Sequence, residues 1–170
     1  AVNEAGIGYG LDGSFISESL PSVVTLAISS ITSCSASGGG TTINDQGKIV
    51  SAKGSCWDTS PSPGLGISTD EGTGTGDFAS SLASLLPNTT YYYRAYVTTT
   101  GCGTGYGSDV SFTTQILPSV TSAALSAINC GTVSGGGTSI NDQGNTVSAV
   151  GVCWATTASP NLTNSTDEGA

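Results

Sequence analysis

The 170-residue chain contains no histidine and no methionine, and only three of its residues are lysine or arginine. Without imidazole, the catalytic triads and metal centres that depend on histidine are excluded. With so few cations against twelve carboxylates, the chain lacks the basic surface that binds nucleic acid or anionic lipid. It also lacks a run of about eighteen apolar residues, so we expect no membrane insertion.

Charged residues of either sign are scarce, at 9% of the chain. A typical intracellular domain carries about a quarter. Threonine, valine, isoleucine and tyrosine favour pleated strands, and the abundant glycine favours turns between them. Regularly spaced Trp, Tyr, Ile and Val supply the core residues that disordered Gly/Ser/Thr tracts lack. The composition therefore predicts an all-β protein that is extracellular or displayed at a cell surface.

The most informative feature of the sequence is an internal repeat. The chain matches itself after a shift of 97 residues, since LPSV at 20–23 returns at 117–120 and Cys56-Trp57 returns as Cys153-Trp154. A fixed period indicates a tandem array rather than one catalytic globule, and its length suits one β-sandwich per repeat. We therefore divide the chain into residues 1–19, the last strand of a preceding or neighbouring repeat; residues 20–115, a complete sandwich; and residues 116–170, the N-terminal part of a second sandwich.

Alternation of side chains predicts the strands of the complete repeat. We expect them at 22–28, 31–43, 48–57, 75–84, 91–97 and 104–114. The NDQG sequence at 44–47 is predicted to be a turn, because Asn and Asp tolerate left-handed backbone and Gly adopts positive φ readily. Along the third strand, simple alternation places Cys56 on the same face as Val50.

One stretch, LLPNTTYYYRAYV at 85–97, resembles the corner between strands E and F of fibronectin type III domains. There a tyrosine at the start of strand F hydrogen-bonds back to the corner, and the matching residue is Tyr91. With GSCWDTSPSP at 54–63 and the GYG and SFTT sequences near 105–114, nearly the whole chain resembles the fibronectin III-like tandem repeats of secreted and surface proteins of Bacteroidetes bacteria. The resemblance implies Ig-like sandwiches, one complete and one incomplete, used as a spacer, stalk or adhesive array. It does not imply a catalytic activity, because function on such folds depends on sites added to them.

Polar residues in the predicted loops suggest modification. Asn88, Asn161 and Asn164 each begin an Asn-x-Ser/Thr sequence, the acceptor pattern for N-linked glycans. Asp58-Thr59-Ser60 resembles an O-glycosylation signal of Bacteroidetes, which makes Thr59 the first candidate. Attached glycans would compensate for the scarcity of surface charge.

Repeated acidic pairs raise the alternative of a calcium site. Asp70-Glu71 recurs as Asp167-Glu168, and Asn44-Asp45 recurs as Asn141-Asp142. Loop oxygens of this kind bind Ca²⁺ in extracellular proteins. No Asp-x-Asp-x-Asp spacing is present, however, so we interpret these residues as turn formers and expect no cofactor.

The cysteine count is odd, and in an oxidising compartment five cysteines cannot all pair within one chain. The candidates for disulfides are Cys34, Cys56, Cys102, Cys130 and Cys153. A Cys34–Cys56 bridge would join opposite sheets if both side chains faced inward. Cys130 lies one position before the copy of Cys34, so the pair is not repeated cleanly. The alternative is that Cys56 and Cys153 are buried thiols beside Trp57 and Trp154.

These features predict a non-enzymatic structural subunit of an extracellular rod or filament. Residues 8–17 copy the last strand of the complete repeat, and as a donor strand they would complete the sandwich at 116–170 of a neighbouring copy, head to tail. The rival explanation is that the chain is an excerpt of a longer array. An alternative function is an adhesion or carbohydrate-binding spacer module of a larger secreted protein or enzyme, with Tyr92 and Tyr96 as the exposed aromatic residues that would contact glycans.

Overall fold

The computed structural model of the protein describes residues 2–169, so Ala1 and Ala170, at the ends of the first and last predicted segments, lie outside the described residues. Within this range the chain is all-β and contains no helix, as the composition predicts. The strands are β1 (Val2–Asn3), β2 (Gly6–Ile7), β3 (Ser22–Thr25), β4 (Ala36–Asn44), β5 (Val50–Asp58), β6 (Phe78–Leu82), β7 (Thr90–Thr99), β8 (Gly103–Tyr106), β9 (Val110–Thr113), β10 (Ser119–Ser122) and β11 (Gly137–Asn141).

Residues 20–115 form two antiparallel sheets with a common core, which is a β-sandwich-like arrangement. One sheet has the order β3-β4-β6. In the other, β7 pairs with β5 along one edge and with β8 and then β9 along its other edge. The predicted strand at 31–43 begins later, at Ala36, because Thr32 closes a tight turn in which its Oγ1 accepts from the Ser35 N–H at 2.9 Å.

Strand β7 supplies the largest share of the core through its period-two alternation. Tyr91, Tyr93, Ala95 and Val97 all point inward and are buried. Tyr91 stacks on Phe112 of β9 with ring centroids 5.9 Å apart, and its hydroxyl accepts from the Leu86 N–H at 3.0 Å. The aromatic sequence therefore fixes both the core and the corner that precedes β7.

The glycine run at 38–40 exists because these core rings press against the backbone of β4. A Cβ at Gly38 would lie 2.6 Å from the Tyr93 ring, and one at Gly40 would lie 2.6 Å from the Phe78 ring. Gly39 has a φ of +155°, and its Cβ would meet the Phe78 carbonyl oxygen at 2.1 Å. Only residues without side chains leave room for this close packing.

A β-bulge near the start of β5 reverses the alternation that the sequence predicts. Val50 pairs with Thr99, but Ala52 pairs with Thr98, so β5 carries one extra residue. A bulge of this kind turns every later side chain to the opposite face. Val50 and Trp57 therefore both belong to the core. The expectation that Cys56 shares a face with Val50 is wrong.

Residues 117–169 repeat the local structure of the central sandwich. The Trp154 N–H donates to Asn164 as the Trp57 N–H donates to Ile67, at 3.1 and 3.2 Å. Strands β10 and β11 pair as β3 and β4 do. Within residues 117–169, however, no strand corresponds to β6 or β7, so Trp154 is 56% exposed whereas Trp57 is 8% exposed.

The N-terminal segment is a short β1–β2 hairpin followed by residues 8–21, which carry no strand. The predicted donor strand at 8–17 is therefore not formed in the single chain. Phe15, the copy of Phe112, is 92% exposed, whereas Phe112 is 6% exposed. The segment thus presents one large apolar side chain, Phe15, whose counterpart is buried in the complete repeat.

Candidate functional site

The Asp side chain of each repeated acidic pair accepts a hydrogen bond from a backbone N–H group of its own turn. Asp70 Oδ1 accepts from the Gly72 N–H and Asp45 Oδ1 from the Gly47 N–H, both at 2.9 Å. Their copies make the same bonds, Asp167 to Gly169 and Asp142 to Gly144. In the described part of the chain, no three His, Cys, Asp or Glu side chains lie close enough together to hold a metal ion.

The loop at 59–69 covers the outer face of the β5-β7-β8 sheet and is held there by Arg94. Arg94 Nε donates to the Pro63 carbonyl at 2.8 Å, and its guanidinium lies 4.0 Å above the Tyr106 ring. Asp109 lies 3.8 Å from the same guanidinium and accepts from the Ser62 N–H at 2.6 Å. Stacking of the guanidinium on an aromatic ring and its pairing with a carboxylate both stabilise the position of this exposed loop.

The five cysteines are free thiols. Cys56 is buried beneath the 59–69 loop, where its Sγ donates to the Pro63 carbonyl at 3.3 Å, and burial raises its pKa. Cys34 lies in the exposed turn before β4, so a cross-sheet Cys34–Cys56 bridge is not formed. The bulge in β5 turns Cys56 away from the core, and Cys34 is exposed, so neither side chain faces the inside of the sandwich. Cys153 makes the matching contact with Pro160 at 3.5 Å, while Cys130 is exposed.

The candidate glycosylation residues all lie at the surface. Thr59 is exposed, and its N–H donates to the adjacent Asp58 carboxylate at 2.6 Å. Asn88, Asn161 and Asn164 are exposed as well. Each side chain is accessible to a modifying enzyme.

The aromatic residues considered for adhesion do not form an exposed platform. Tyr96 is 4% exposed, because the 59–69 loop lies over it and its hydroxyl donates to the Thr69 carbonyl at 2.7 Å. Tyr92 is half-buried. The expectation that Tyr96 is available to a ligand is wrong, since alternation along β7 gives no sign of a loop folded over its outer face.

The open face of residues 117–169 forms a groove of about 570 Å³. Its apolar lining comes from Leu125, Val133, Val152 and Trp154. Three of these are copies of core residues of the central sandwich, namely Ile28, Ala36 and Trp57. In that sandwich the equivalent space is filled by large side chains from β6, β7 and β9. The groove is therefore the counterpart of a space that large apolar side chains fill in the central sandwich.

A second cluster joins the N-terminal segment to the central sandwich. Glu18 pairs with Lys48 at 2.6 Å and accepts from the Cys102 thiol at 2.9 Å. The bond from Cys102, followed by that from Lys48, lowers the pKa of Glu18, and the bond to Glu18 raises the pKa of Cys102.

Sequence reasoning missed the Glu18 cluster, although the repeat contains a signal for it. At the equivalent positions of the next repeat, Gln115 replaces Glu18 and Asn145 replaces Lys48. Both charges are lost together, which is the pattern expected of two positions that contact each other across a junction between repeats.

Comparison of the chain with protein-family models and with curated proteins finds no match. Within residues 2–169, no helix is long and apolar enough to span a membrane. The repeat, the groove and the Glu18 junction are therefore the features from which a function is inferred.

Proposed function

We propose that this chain is a non-enzymatic structural unit of an extracellular rod or filament, built from tandem fibronectin III-like sandwiches. The observation that carries the proposal is the recurrence of the same turns, loop bonds and strand pairing after 97 residues. The strand orders β3-β4-β6 and β5-β7-β8, with β9 continuing β8, fit the two sheets of a seven-stranded fibronectin-type sandwich. Repetition of one fold without a catalytic cluster is typical of proteins that span distance.

The junction before the complete repeat supports a semi-rigid array. Pro21 packs against β8 so closely that a Cβ at Gly105 would lie 1.7 Å from its carbonyl oxygen. Three residues earlier, Glu18 is tied to Lys48 and Cys102. A linker fixed at both points has few residues left to bend, which restricts the angle between successive domains.

An extracellular or cell-surface location agrees with the surface chemistry. The chain has a net charge of −9 from very few charged residues, and its candidate glycan acceptors, led by Thr59, are exposed. Glycans on such a surface would supply the solubility and protease resistance that charge usually provides.

Electron microscopy of the native material tests this function. A rod or filament of stacked sandwiches should show one bead per 97-residue repeat along its axis. Images of the purified chain at low concentration, recorded in parallel, give the size and shape of a single bead for comparison. Compact particles without an axial repeat, or a ligand-dependent enzymatic activity of the purified chain, would overturn the proposal.

A further inference from the structure

This inference rests on the proposed rod or filament and names how its units join. We propose that residues 10–16 of one copy dock on a second copy, against β10, the 156–160 loop and the open groove beside Trp154. The two surfaces are copies of segments that already contact each other inside the central sandwich, which is why a second copy is the occupant that fits.

The first contact is between a glycine and the backbone of a strand. In the central sandwich, a Cβ at Gly107 would lie 2.3 Å from Thr25 Oγ1 and 2.8 Å from the Thr25 nitrogen. Gly10 is the copy of Gly107, and Ser122 at the end of β10 is the copy of Thr25. A Cβ at Gly10 would meet nothing within 4 Å in the single chain. The close approach is therefore available to Gly10, and its partner strand is β10.

The second contact is a charge-assisted hydrogen bond. Asp109 accepts from the Ser62 N–H at 2.6 Å, and Asp12 is the copy of Asp109. Ser159, the copy of Ser62, has a φ of 57° where Ser62 has 59°. At Ser159 the backbone thus already has the φ of its copy, so docking requires little change of this angle.

The third contact is apolar. Phe112 is buried in a cluster with Ala36 and Trp57. Their copies are Phe15 on the N-terminal segment and Val133 with Trp154 in the groove, and all three are exposed. Docking Phe15 between Val133 and Trp154 would remove both apolar surfaces from water, which is the main favourable term in association.

Strand β9 pairs with β7 in the central sandwich, and residues 117–169 contain no copy of β7. Docking therefore depends on the three contacts above rather than on a full ladder of hydrogen bonds. We expect reversible association that depends on concentration. Because each copy carries one docking segment and one groove, the contact is heterologous and propagates as a chain of subunits.

Two single substitutions in the exposed N-terminal segment test the docking without touching the sandwich core. Gly10→Val introduces the Cβ that the copied contact forbids, so association should weaken by about tenfold or more. Gly13→Val is the matched control, because its copy in the complete repeat is Val110, which packs on the core. This second variant should associate about threefold more tightly, through the added apolar contact.

Sedimentation velocity of the 170-residue chain and both variants, over a range of concentrations, measures these changes. A labelled peptide of residues 5–19 should also bind the wild-type chain and inhibit its assembly. A monomeric wild type at every concentration, equal association of all three chains, or a peptide without effect would overturn the docking. If the native material is a beaded filament but assembly ignores both substitutions, the docking is wrong and the proposed rod function stands.

Discussion

The Tyr93 hydroxyl, on β7, donates to the Gly39 carbonyl and accepts from the Gly39 N–H, on β4 of the opposite sheet. One side chain thus joins the two sheets through a single backbone unit, in the part of the core where burial raises the pKa of Tyr93. Tyr93→Phe should lower the free energy of unfolding by about 1–3 kcal/mol, because it leaves a buried N–H without this partner. Chemical denaturation measures the loss. Tyr92→Phe, on the other face of the strand, is the control and should change stability by much less.

Substitution of two equivalent glycines should distinguish a glycine that core packing requires from one that recurs with the repeat but has no packing role. Gly39→Ala forces a Cβ against the Phe78 carbonyl at a φ of +155° and should destabilise the central sandwich by about 3 kcal/mol or more. Gly136→Ala, at the copied position, meets nothing within 4 Å and should be nearly neutral. Thermal melts of both variants check this. Equal losses would contradict the packing described for β4.

Alkylation of Cys102 should report on its contact with Glu18. The bond to Glu18 raises the pKa of Cys102, so Glu18→Gln should increase the thiolate fraction near pH 8 and speed the reaction. Lys48→Gln should slow the reaction, because the Lys48 charge lowers that pKa. Rates of iodoacetamide labelling at Cys102, followed by mass spectrometry against pH, distinguish the two.

The stability of the Glu18 contact itself should vary with pH in one direction. The pKa of Glu18 is lowered, so the contact is fully present above the ordinary range of a glutamate and is lost as the pH falls through the lowered value. If the cluster forms in solution, iodoacetamide labelling of Cys102 must be faster in Glu18→Gln than in the wild type and slower in Lys48→Gln. Identical rates in both variants and in the wild type would show that the cluster does not form in solution.

The two parts of the repeat array should differ in independent folding. Residues 20–115 contain both buried core clusters and should unfold cooperatively as an isolated fragment. Residues 116–170 leave Leu125, Val133 and Trp154 exposed and should show no cooperative transition. Circular dichroism of the two fragments, with the full chain as reference, measures this. A cooperative melt from the shorter fragment would contradict the division of the chain.

Glycan attachment should favour Thr59, with Asn88 second. Both side chains are exposed, and Thr59 follows directly on the last residue of β5, at the start of the covering loop. Glycopeptide analysis of the native protein locates any sugar, and Thr59→Val should remove it without affecting the core. Unmodified peptides that cover both positions in native material would contradict the prediction.

The sequence predicts the all-β class and the inward face of β7, because the core requires every second residue from Tyr91 to Val97 to be apolar or aromatic. It also predicts the turn at 44–47, where the side chains of Asn44 and Asp45 accept from the backbone N–H groups two residues further on, those of Gln46 and Gly47. The orientation of Cys56 was not predictable by alternation, because one extra residue near Ser51 reverses the faces. The burial of Tyr96 was also missed, because it depends on a distant loop held by Arg94.

The exchange of Glu18 and Lys48 for Gln115 and Asn145 makes successive joints unequal. An exposed ion pair is screened by dissolved salt, whereas neutral amides are not. In a rod made of such repeats, rising salinity would relax the joint at Glu18 and leave the following one unchanged. The resistance of the rod to bending would then decrease as the ionic strength of its surroundings rises, and only at the joints that contain the Glu18–Lys48 pair.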